Sequence, residues 1–481
     1  AHGNVVQLGE RECSIQRRNQ KIGEESPSAG IPPETRAAIC DGAVALARSV
    51  GYHGAGTVEY LVDEAGSVES INFLEVNTRL QVEHPVTEAV TGVDLVELQL
   101  RVAAGEALTL QQEFVRAHGH AIEVRVVAED PAAGWLPSTG TITSFELDAS
   151  TGGDGLVRVD TGFRAGSTVS ADYDSMLAKV ISHGDTRAPA AAKLRRALQH
   201  ADVAGVRTNV DSLVAILGER DYLNAATPTA YLDEHPDVLT GGPLGADRIA
   251  LLIAAVMTTQ ATARASDSAL GFAPSGWRNL RTQGQRSRWT QVGTDVIEHV
   301  EYTMRADAAM VLVGPWQTPG DDGALSADDR TRHDVVLIDH DATTGRVAIE
   351  IDGVRRVVRV DLDGARSDDE LTARTRSAAG AIEWRREPRF VDHDADVSGG
   401  GPVCPLPGTV IAVEVAVGDA VAEGDLLMVV EAMKMEHKIT AATDAQVADV
   451  HYTVGDRVEQ GDLLVSLDTT DSDTADTGDE A

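Results

Sequence analysis

Apolar residues recur with the period of a helix in some segments and with the period of a strand in others, and these periods predict the helices and strands of the chain. Before residue 237, helical periodicity is expected over 34–50 and 187–201, and strands over 121–127 and 176–182. Beyond it, the pattern predicts an apolar helix over 245–258 and strands over 335–338, 346–351 and 355–360. The Asp352-Gly353 pair is a hairpin signal between the last two strands. We therefore expect α/β domains followed by a helix and a small antiparallel barrel.

The carboxy-terminal part contains an internal repeat with an offset of 37 residues. The pattern V-G-D-x-V-x-x-G-D-L-L begins at Val417 and again at Val454. Two such units predict a flattened barrel made of two related halves, because neither half could bury its apolar face alone. Lys434, between Met433 and Met435, lies between the units, where we expect a hairpin tip.

Charge and cysteine content narrow the function classes. Forty-one basic and 76 acidic residues give a net charge of -35, which disfavours nucleic acid and anionic membrane surfaces as partners. Three widely spaced cysteines indicate neither a disulfide framework nor a metal cluster, so we expect a cytoplasmic protein with free thiols. The most apolar stretch, 249–257, is too short to span a bilayer.

Lysine is rare, and this scarcity draws attention to each lysine that remains. Lysine occurs only at Lys21, Lys179, Lys193, Lys434 and Lys438. Arginine can supply positive charge elsewhere, whereas a nucleophilic amine must be lysine, so the remaining lysines are enriched in special roles. A salt-loving or GC-rich source would produce the same imbalance, and this second explanation stays open.

A predicted hairpin in the amino-terminal domain carries a polar face. Two β-runs surround a turn near residue 67, so that Glu59 falls opposite Glu75, with Asn77, Arg79 and Gln81 on the same side. Two carboxylates and an amide suit Mg²⁺, while the guanidinium suits an anion. The pattern alone also fits a solvated outer face of the hairpin.

The segment EAMKMEHK around Lys434 resembles the biotin attachment site of biotinyl domains, and Cys404-Pro405-Leu406-Pro407-Gly408 resembles the first strand of these domains. Lipoyl domains share the fold, but their lysine commonly follows Asp. The resemblance therefore implies covalent biotin on Lys434, while Lys438 is interpreted as a surface charge.

The segments ERECSIQRRNQK and EVNTRLQVEHPVTE resemble the ATP-grasp domain of biotin carboxylases. The roles that this resemblance implies are Mg²⁺ (or Mn²⁺) ligands at Glu59, Glu75 and Asn77, ATP phosphate contacts at Gln16 and Lys21, a bicarbonate site at Arg79, Gln81 and Val82, a catalytic base at Glu83 and an arginine that stabilises the biotin enolate at Arg125. Asn19 stands where many members have histidine, and the loop after Glu59 is a few residues longer than usual.

Two further resemblances concern the middle of the chain. The stretch Tyr173–Lys179 resembles the carboxy-terminal lobe of biotin carboxylases, in which Lys179 is interpreted as a structural charge. The stretch Gly276-Trp277-Arg278-Asn279, followed by a barrel, resembles the linker domain of acyl-CoA carboxylase α subunits, which contacts the carboxyltransferase subunit.

These observations together predict a multidomain α/β and β chain. The predicted domains are the carboxy-terminal part of an ATP-grasp domain (1–112), a biotin carboxylase C-terminal α+β domain (113–236), a helix plus β-barrel linker domain (237–398), a biotinyl domain (399–468) and a disordered acidic tail (469–481). The expected protein is the α subunit of an acetyl-, propionyl- or methylcrotonyl-CoA carboxylase, with biotin, ATP and Mg²⁺ as cofactors.

The expected partners are a carboxyltransferase β subunit, a biotin protein ligase and bicarbonate, in an oligomeric holoenzyme. Neither a glycine-rich lid nor the amino-terminal domain of an ATP-grasp enzyme precedes Ala1, so we expect the chain by itself to be inactive. The alternative is a biotin carrier and assembly scaffold without carboxylase activity of its own.

Overall fold

The structure is a computed structural model, and it describes residues 3–17, 19–63, 66–147, 157–267, 284–294, 296–305, 308–316, 329–364, 371–388, 401–433 and 435–468. The chain divides into two compact units, Ala1–Thr240 with Val397–Ala481, and Gly241–Asp396. The Gly276–Asn279 segment and the acidic tail lie outside the described residues.

The amino-terminal part of the first unit contains short strands and eight helices among its described residues. The strands are β1 (Gln16–Arg17), β2 (Gln20–Lys21), β3 (Gly23–Ser26), β4 (Thr57–Leu61), β5 (Asn72–Asn77), β6 (His120–Val127), β7 (Glu129–Asp130), β8 (Leu136–Pro137), β9 (Gly140–Thr141), β10 (Ser144–Glu146), β11 (Arg158–Thr161), β12 (Thr168–Val169), β13 (Met176–Gly184) and β14 (Asp202–Ala204). The helices are α1 (Pro33–Ser49), α2 (His84–Thr91), α3 (Leu95–Ala103), α4 (Arg187–His200), α5 (Val210–Ile216), α6 (Arg220–Leu223), α7 (Tyr231–Glu234) and α8 (Pro236–Thr240).

An antiparallel sheet of order β11-β13-β6-β3 organises this part of the unit. Helices α2 and α4 contact β6 and β13, and the core beneath α4 contains Leu194 and Leu198, both fully buried. The apolar runs of β6 and β13 explain their central position, because a strand that is covered on both faces needs apolar residues at successive positions. β4 and β5 form a separate hairpin.

The second unit contains one long helix, α9 (Gly245–Ser266), and a closed barrel among its described residues. The barrel strands are β15 (Gln285–Gln291), β16 (Ile297–Arg305), β17 (Ala308–Val313), β18 (Thr331–Asp341), β19 (Arg346–Ile351), β20 (Val354–Asp363), β21 (Thr372–Ser377) and β22 (Gly380–Arg386). Asp352 and Gly353 join β19 to β20 with φ values of 52° and 78°, as their hairpin signal predicted. Trp289 and Trp384 fill the core shared by barrel and helix.

Helix α9 is longer than the apolar stretch that was interpreted as too short for a membrane span. Its 22 residues, with a mean hydropathy of 1.3 in the most apolar window, make it long and apolar enough to cross a membrane by length and composition alone. In the structure 56% of that window is buried, with residues such as Leu252 and Ile253 in the core of the barrel unit. A core helix passes the same test, so this helix is weak evidence for a membrane span.

The carboxy-terminal part of the first unit consists of short strands in two sheets. The strands are β23 (Gly408–Val413), β24 (Ala420–Val421), β25 (Leu426–Ala432), β26 (Met435–Thr440), β27 (Ala445–Val450), β28 (Arg457–Val458) and β29 (Val465–Asp468). The sheet orders are β26-β25-β23-β28 and β24-β27-β29.

The sequence repeat appears in this domain as reciprocal backbone hydrogen bonds between the two halves. Gly418 N donates to Val447 O and Gly455 N donates to Val410 O, both at 2.8 Å. Each pair becomes the other when the offset of 37 residues is applied and the two halves are exchanged. The turn of each half is thus bound by a strand of the other half, which explains why neither half is complete alone.

Candidate active site and biotin attachment site

The β4–β5 hairpin brings together the three predicted metal ligands. The register pairs Glu59 with Glu75, as the period of two predicted. Asn77 Nδ2 donates to Glu59 Oε1 at 3.1 Å and to Glu75 Oε1 at 2.9 Å. Two carboxylates and an amide oxygen are the hard donors that Mg²⁺ prefers. The residues present therefore fit a magnesium ion, with Glu59, Glu75 and Asn77 as its holders.

Lys21 connects this hairpin to the predicted catalytic base. Its Nζ donates to Glu59 Oε1 at 2.9 Å and to Glu83 Oε1 at 2.8 Å. Partial burial lowers the pKa of Lys21. The negative charge of its neighbours, Glu83 among them, outweighs burial and raises the pKa above its ordinary value, so Lys21 is cationic. Gln16, predicted near the ATP phosphates, is the cross-strand partner of Lys21 in the β1–β2 hairpin.

Glu83 is a buried carboxylate at the amino terminus of α2. Besides the contact from Lys21, its Oε2 lies 3.3 Å from Arg125 Nη2. Burial by itself would raise the pKa of Glu83, but the hydrogen bond from Lys21 and the positive charges of Lys21 and Arg11 outweigh it and hold the pKa below its usual range. Glu83 is therefore ionised at neutral pH and able to accept a proton.

Arg125 lies on β6 and is held by a second buried carboxylate, Glu24 on β3. Its Nε donates to Glu24 Oε1 at 2.8 Å, and Glu24 is 1% exposed. Burial lowers the pKa of Arg125, but the charges of Glu24 and Glu83 reverse that effect, so Arg125 keeps its proton. Burial raises the pKa of Glu24, while the charge of Arg125 acts against that effect. The guanidinium thus has one buried carboxyl partner and a second contact that faces the predicted base.

The segment between the hairpin and α2 is held at Gln81 and Val82. Gln81 Nε2 donates to Glu59 Oε1 at 2.6 Å, while Gln81 Oε1 accepts a short hydrogen bond from Arg11. The carbonyl of Val82 accepts from Lys179 Nζ at 2.9 Å. Two of the three residues of the predicted bicarbonate site are therefore held by partners far away in the sequence.

Arg79 is the predicted site residue that the structure keeps apart from this network. Its side chain is exposed, and Nη1 donates to the carbonyl of the next residue, Leu80, at 3.3 Å. The strand β5 ends at Asn77, so the alternation that placed Arg79 on the face of Glu75 does not extend to it.

Sequence reasoning missed three residues that position the site, namely Arg11, Glu24 and Glu123, and it gave Lys179 only a structural charge. Glu24 and Glu123 lie opposite each other on β3 and β6, and Glu123 is fully buried. Burial, and after it the charge of Glu24, raises the pKa of Glu123 well above its usual range. The available signal was an acidic residue within an apolar strand. Burial of a carboxylate costs free energy unless the carboxylate is paired with a cation or takes up a proton.

At the other end of the chain, β25 and β26 pair Ala432 with Met435, so the tip of this hairpin lies between these two residues and includes Met433. Met433 has a φ of 48°, in the left-handed region. Lys434 lies outside the described residues, and its assignment as the biotin attachment site stays a prediction. The tip itself is where the repeat predicted it.

Three family models match the chain in the order of these domains. They are "Carbamoyl-phosphate synthase L chain, ATP binding domain" over residues 1–111, "Biotin carboxylase C-terminal domain" over 123–234 and "Biotin-requiring enzyme" over 403–467. An ATP binding domain, a biotin carboxylase domain and a biotin domain in this order are the domains of biotin-dependent carboxylases, which is the class of protein that the chain resembles.

Similarity to curated relatives narrows this class. The chain is 35% identical over 485 residues to the methylcrotonoyl-CoA carboxylase subunit alpha of Mus musculus, covering 98% of this chain and 64% of the relative. It is also 35% identical over 477 residues to the propionyl-CoA carboxylase alpha chain of Ruegeria pomeroyi, covering 94% of this chain and 66% of the relative. Over most of its length the chain is therefore similar to α subunits of biotin-dependent acyl-CoA carboxylases, and it spans just under two thirds of the length of these relatives.

A solved biotin carboxylase domain, from a thermophilic 2-oxoglutarate carboxylase bound to bicarbonate, is 43% identical and covers 50% of this chain and 52% of its own, with a TM-score of 0.47. The predicted fold class is confirmed by the family models together with the described barrel. The matches to an ATP binding domain and to a biotin-requiring domain likewise bear out the predicted cofactors ATP and biotin.

Proposed function

We propose that the protein uses ATP and bicarbonate to carboxylate biotin attached to Lys434, for transfer to an acyl-CoA by a carboxyltransferase partner. The observation that carries this proposal is the contact of Glu83 with two cations, Lys21 at 2.8 Å and Arg125 at 3.3 Å. A buried, ionised carboxylate between two cations suits a base whose product is an anion.

The residues of the site divide the work as follows. Glu83 accepts the proton of bicarbonate, and the resulting dianion attacks the γ-phosphorus of ATP while ADP leaves. Lys21 balances the negative charge that gathers on the transferred phosphoryl group, and a magnesium ion held by Glu59, Glu75 and Asn77 would add to this charge balance. The product of this attack is carboxyphosphate. Biotin, when bound, would supply the ureido nitrogen that receives the carboxyl group as phosphate leaves, and the leaving phosphate would take up the proton of that nitrogen.

Arg125 then stabilises negative charge on the ureido oxygen. Because Glu24 is almost fully buried and holds one face of the guanidinium, Arg125 is oriented before the substrate arrives. An oriented donor does not have to reorganise during the reaction, and this preorganisation supports a catalytic role for Arg125.

The test is ATP hydrolysis that depends on both bicarbonate and free biotin, measured with Mg²⁺ on the full-length gene product. We expect Glu83→Gln to lower this rate about 100-fold or more, because the amide cannot accept the proton. Glu97→Gln is the control, since Glu97 forms an exposed pair with Arg101 on α3. Undiminished activity of Glu83→Gln would contradict the proposal, and absent hydrolysis would favour the carrier and scaffold alternative.

The partners and location are also proposals. Relatives named as α subunits or chains support a carboxyltransferase β subunit in an oligomeric holoenzyme, and the biotin domain requires a biotin protein ligase. A cytoplasmic location is supported by Cys13, Cys40 and Cys404, which are all free thiols. Copurification from the source cells tests the subunit partner, and cell fractionation tests the location.

A further inference from the structure

Met433, at the tip of the β25–β26 hairpin, is buried, but not in the core of the biotinyl domain to which it belongs. It is 5% exposed. The core of the biotinyl domain forms around residues such as Leu427 and Val430, and Met433 is not part of that cluster. It belongs instead to an apolar cluster of the biotin carboxylase C-terminal domain. We name this cluster the tip socket, and its buried members are Ala128, Ile142, Val169, Leu177 and Val203.

A backbone hydrogen bond fixes the tip in the socket. Met433 N donates to the carbonyl of Ala171 at 3.2 Å. One side-chain contact would leave the hairpin free to rotate, whereas an apolar anchor together with a backbone bond defines both depth and orientation. Methionine suits such an anchor because its unbranched, polarisable side chain adapts to an irregular pocket.

The tip socket and the active site lie on the same pair of strands. Arg125 on β6 is directly opposite Lys179 on β13. Ala128 follows Arg125 by three residues, and Leu177 precedes Lys179 by two. At the rise of an extended strand, the socket begins about 10 Å from the arginine. A tip held in this socket therefore lies near the site and not at an unrelated surface.

We propose that Met433 is the docking residue of the carrier domain and that the tip socket holds the carrier while its biotin is carboxylated. This inference rests on the proposed function. The carrier remains tethered to the chain, so a contact of this size raises the fraction of time that the biotin spends at the site without preventing departure to a partner. Free biotin does not use the socket.

Disulfide trapping tests the docked geometry without requiring activity. In the 481-residue chain, the double variant Ala171→Cys/Met433→Cys should form an intrachain disulfide on mild oxidation, because the two backbones are in direct contact. The control pairs Ala171→Cys with Val454→Cys, an exposed position at the equivalent repeat unit. A disulfide in the first variant and not in the control is expected. Equal cross-linking of both, or of neither, would overturn the docked geometry.

A comparison of two substrates tests the function of docking. In the full-length, fully biotinylated protein, we expect Met433→Asp to slow carboxylation of the tethered biotin about tenfold while leaving ATP hydrolysis with free biotin unchanged. Met433→Leu should restore most of the tethered rate, and Val454→Asp should match the wild type. Intact mass confirms that every variant carries biotin.

The outcomes separate this inference from the proposed function. Loss of ATP hydrolysis with free biotin in the wild type would overturn the proposed function. Normal hydrolysis with free biotin, together with an unchanged tethered rate in Met433→Asp, would overturn the docking role alone. An equal loss with both substrates would show that the substitution damages the catalytic domain, and it would also contradict the proposal.

Discussion

The catalytic cluster and the biotinyl domain are built in opposite ways. The cluster joins ionised groups that are far apart in the sequence: Lys21 and Glu83 are separated by 62 residues, and Glu24 and Arg125 by 101. The biotinyl domain depends on local turns, in which the carboxylate of Asp419 or Asp456 accepts from a backbone NH three residues earlier. The first arrangement needs the complete sheet, whereas the second needs only a short motif repeated once.

This difference indicates how strongly single substitutions should affect each part. Removal of one partner from a buried ion pair leaves an uncompensated charge and disrupts the network. Removal of one aspartate from a repeated turn affects one of several equivalent hydrogen bonds. Chemistry should therefore be lost by single substitutions in the cluster, while the turns of the carrier should tolerate them. Besides the docking residue Met433, the exception in the carrier is the attachment lysine.

The largest effect is expected at the attachment lysine, Lys434. Lys434→Arg keeps the charge but removes the amine that forms the amide bond to biotin, so biotin incorporation should fall to zero. Intact mass after coexpression with a biotin protein ligase measures this. Lys438→Arg, on β26 of the same hairpin, is the matched control and should keep the full biotin mass. Biotin on the Lys434→Arg chain would contradict the assignment.

The next effect is expected in the cluster. Lys21→Met removes the hydrogen bonds to Glu59 and Glu83 together, and we expect bicarbonate-dependent ATP hydrolysis to fall about 100-fold. The loss should appear in kcat as well as in the KM for ATP. Lys193→Met, whose amine contacts the carbonyl of His183, serves as the control and should retain activity. Comparable rates for both variants would show that the position of Lys21 is immaterial.

A smaller effect is expected from Glu123 on the pH dependence of folding stability. Both carboxylate oxygens of Glu123 are buried without a hydrogen-bond partner among the described residues, and Glu24, Lys179, Arg125 and Glu83 are the charged groups around it. Because the pKa of Glu123 is raised in the folded state, the folded chain binds the extra proton. Its stability should therefore fall as pH rises from about 4.5 through the raised pKa.

Glu123→Gln removes this dependence, since the amide does not titrate. Relative to the variant, the wild type should lose about 1.4 kcal/mol for each pH unit by which the pKa is raised. Thermal unfolding of both proteins between mildly acidic and mildly alkaline pH measures the difference. Parallel stability curves would show that Glu123 does not hold a proton in the folded state.

The smallest effect is expected in the repeat. Asp456→Ala removes the hydrogen bonds from the backbone NH and hydroxyl of Thr453, and it should lower the free energy of unfolding only slightly because these bonds are exposed to solvent. Asp419→Ala, at the equivalent position, should cost a similar amount because it loses the corresponding bond from Ala416. Denaturant unfolding followed in the biotinyl domain tests this, and a much larger loss for either variant would mean that the turns are not equivalent.

The sequence was most informative where a pattern repeats. The offset of 37 residues predicted the paired turns at Gly418 and Gly455, and the period of two predicted the pairing of Glu59 with Glu75. The contact of Glu24 with Arg125 was not predictable, because antiparallel pairing of β3 with β6 decides it, and no local pattern specifies which distant strands pair. The prediction that Arg79 lies on the face of Glu75 was wrong for the opposite reason, because the alternation of a local strand was extended beyond the end of that strand.

The most direct test of the account is the transfer of labelled bicarbonate to the carrier within one chain. The biotinylated full-length protein is mixed with radiolabelled bicarbonate, ATP and Mg²⁺, and the label on the peptide that contains Lys434 is counted. We predict label in the wild type, none in Lys434→Arg, and an initial rate of labelling that is lower by about 100-fold or more in Glu83→Gln. Labelling of Glu83→Gln at the wild-type rate, or absence of label from a fully biotinylated wild type that hydrolyses ATP, would contradict the claim that this site loads this lysine.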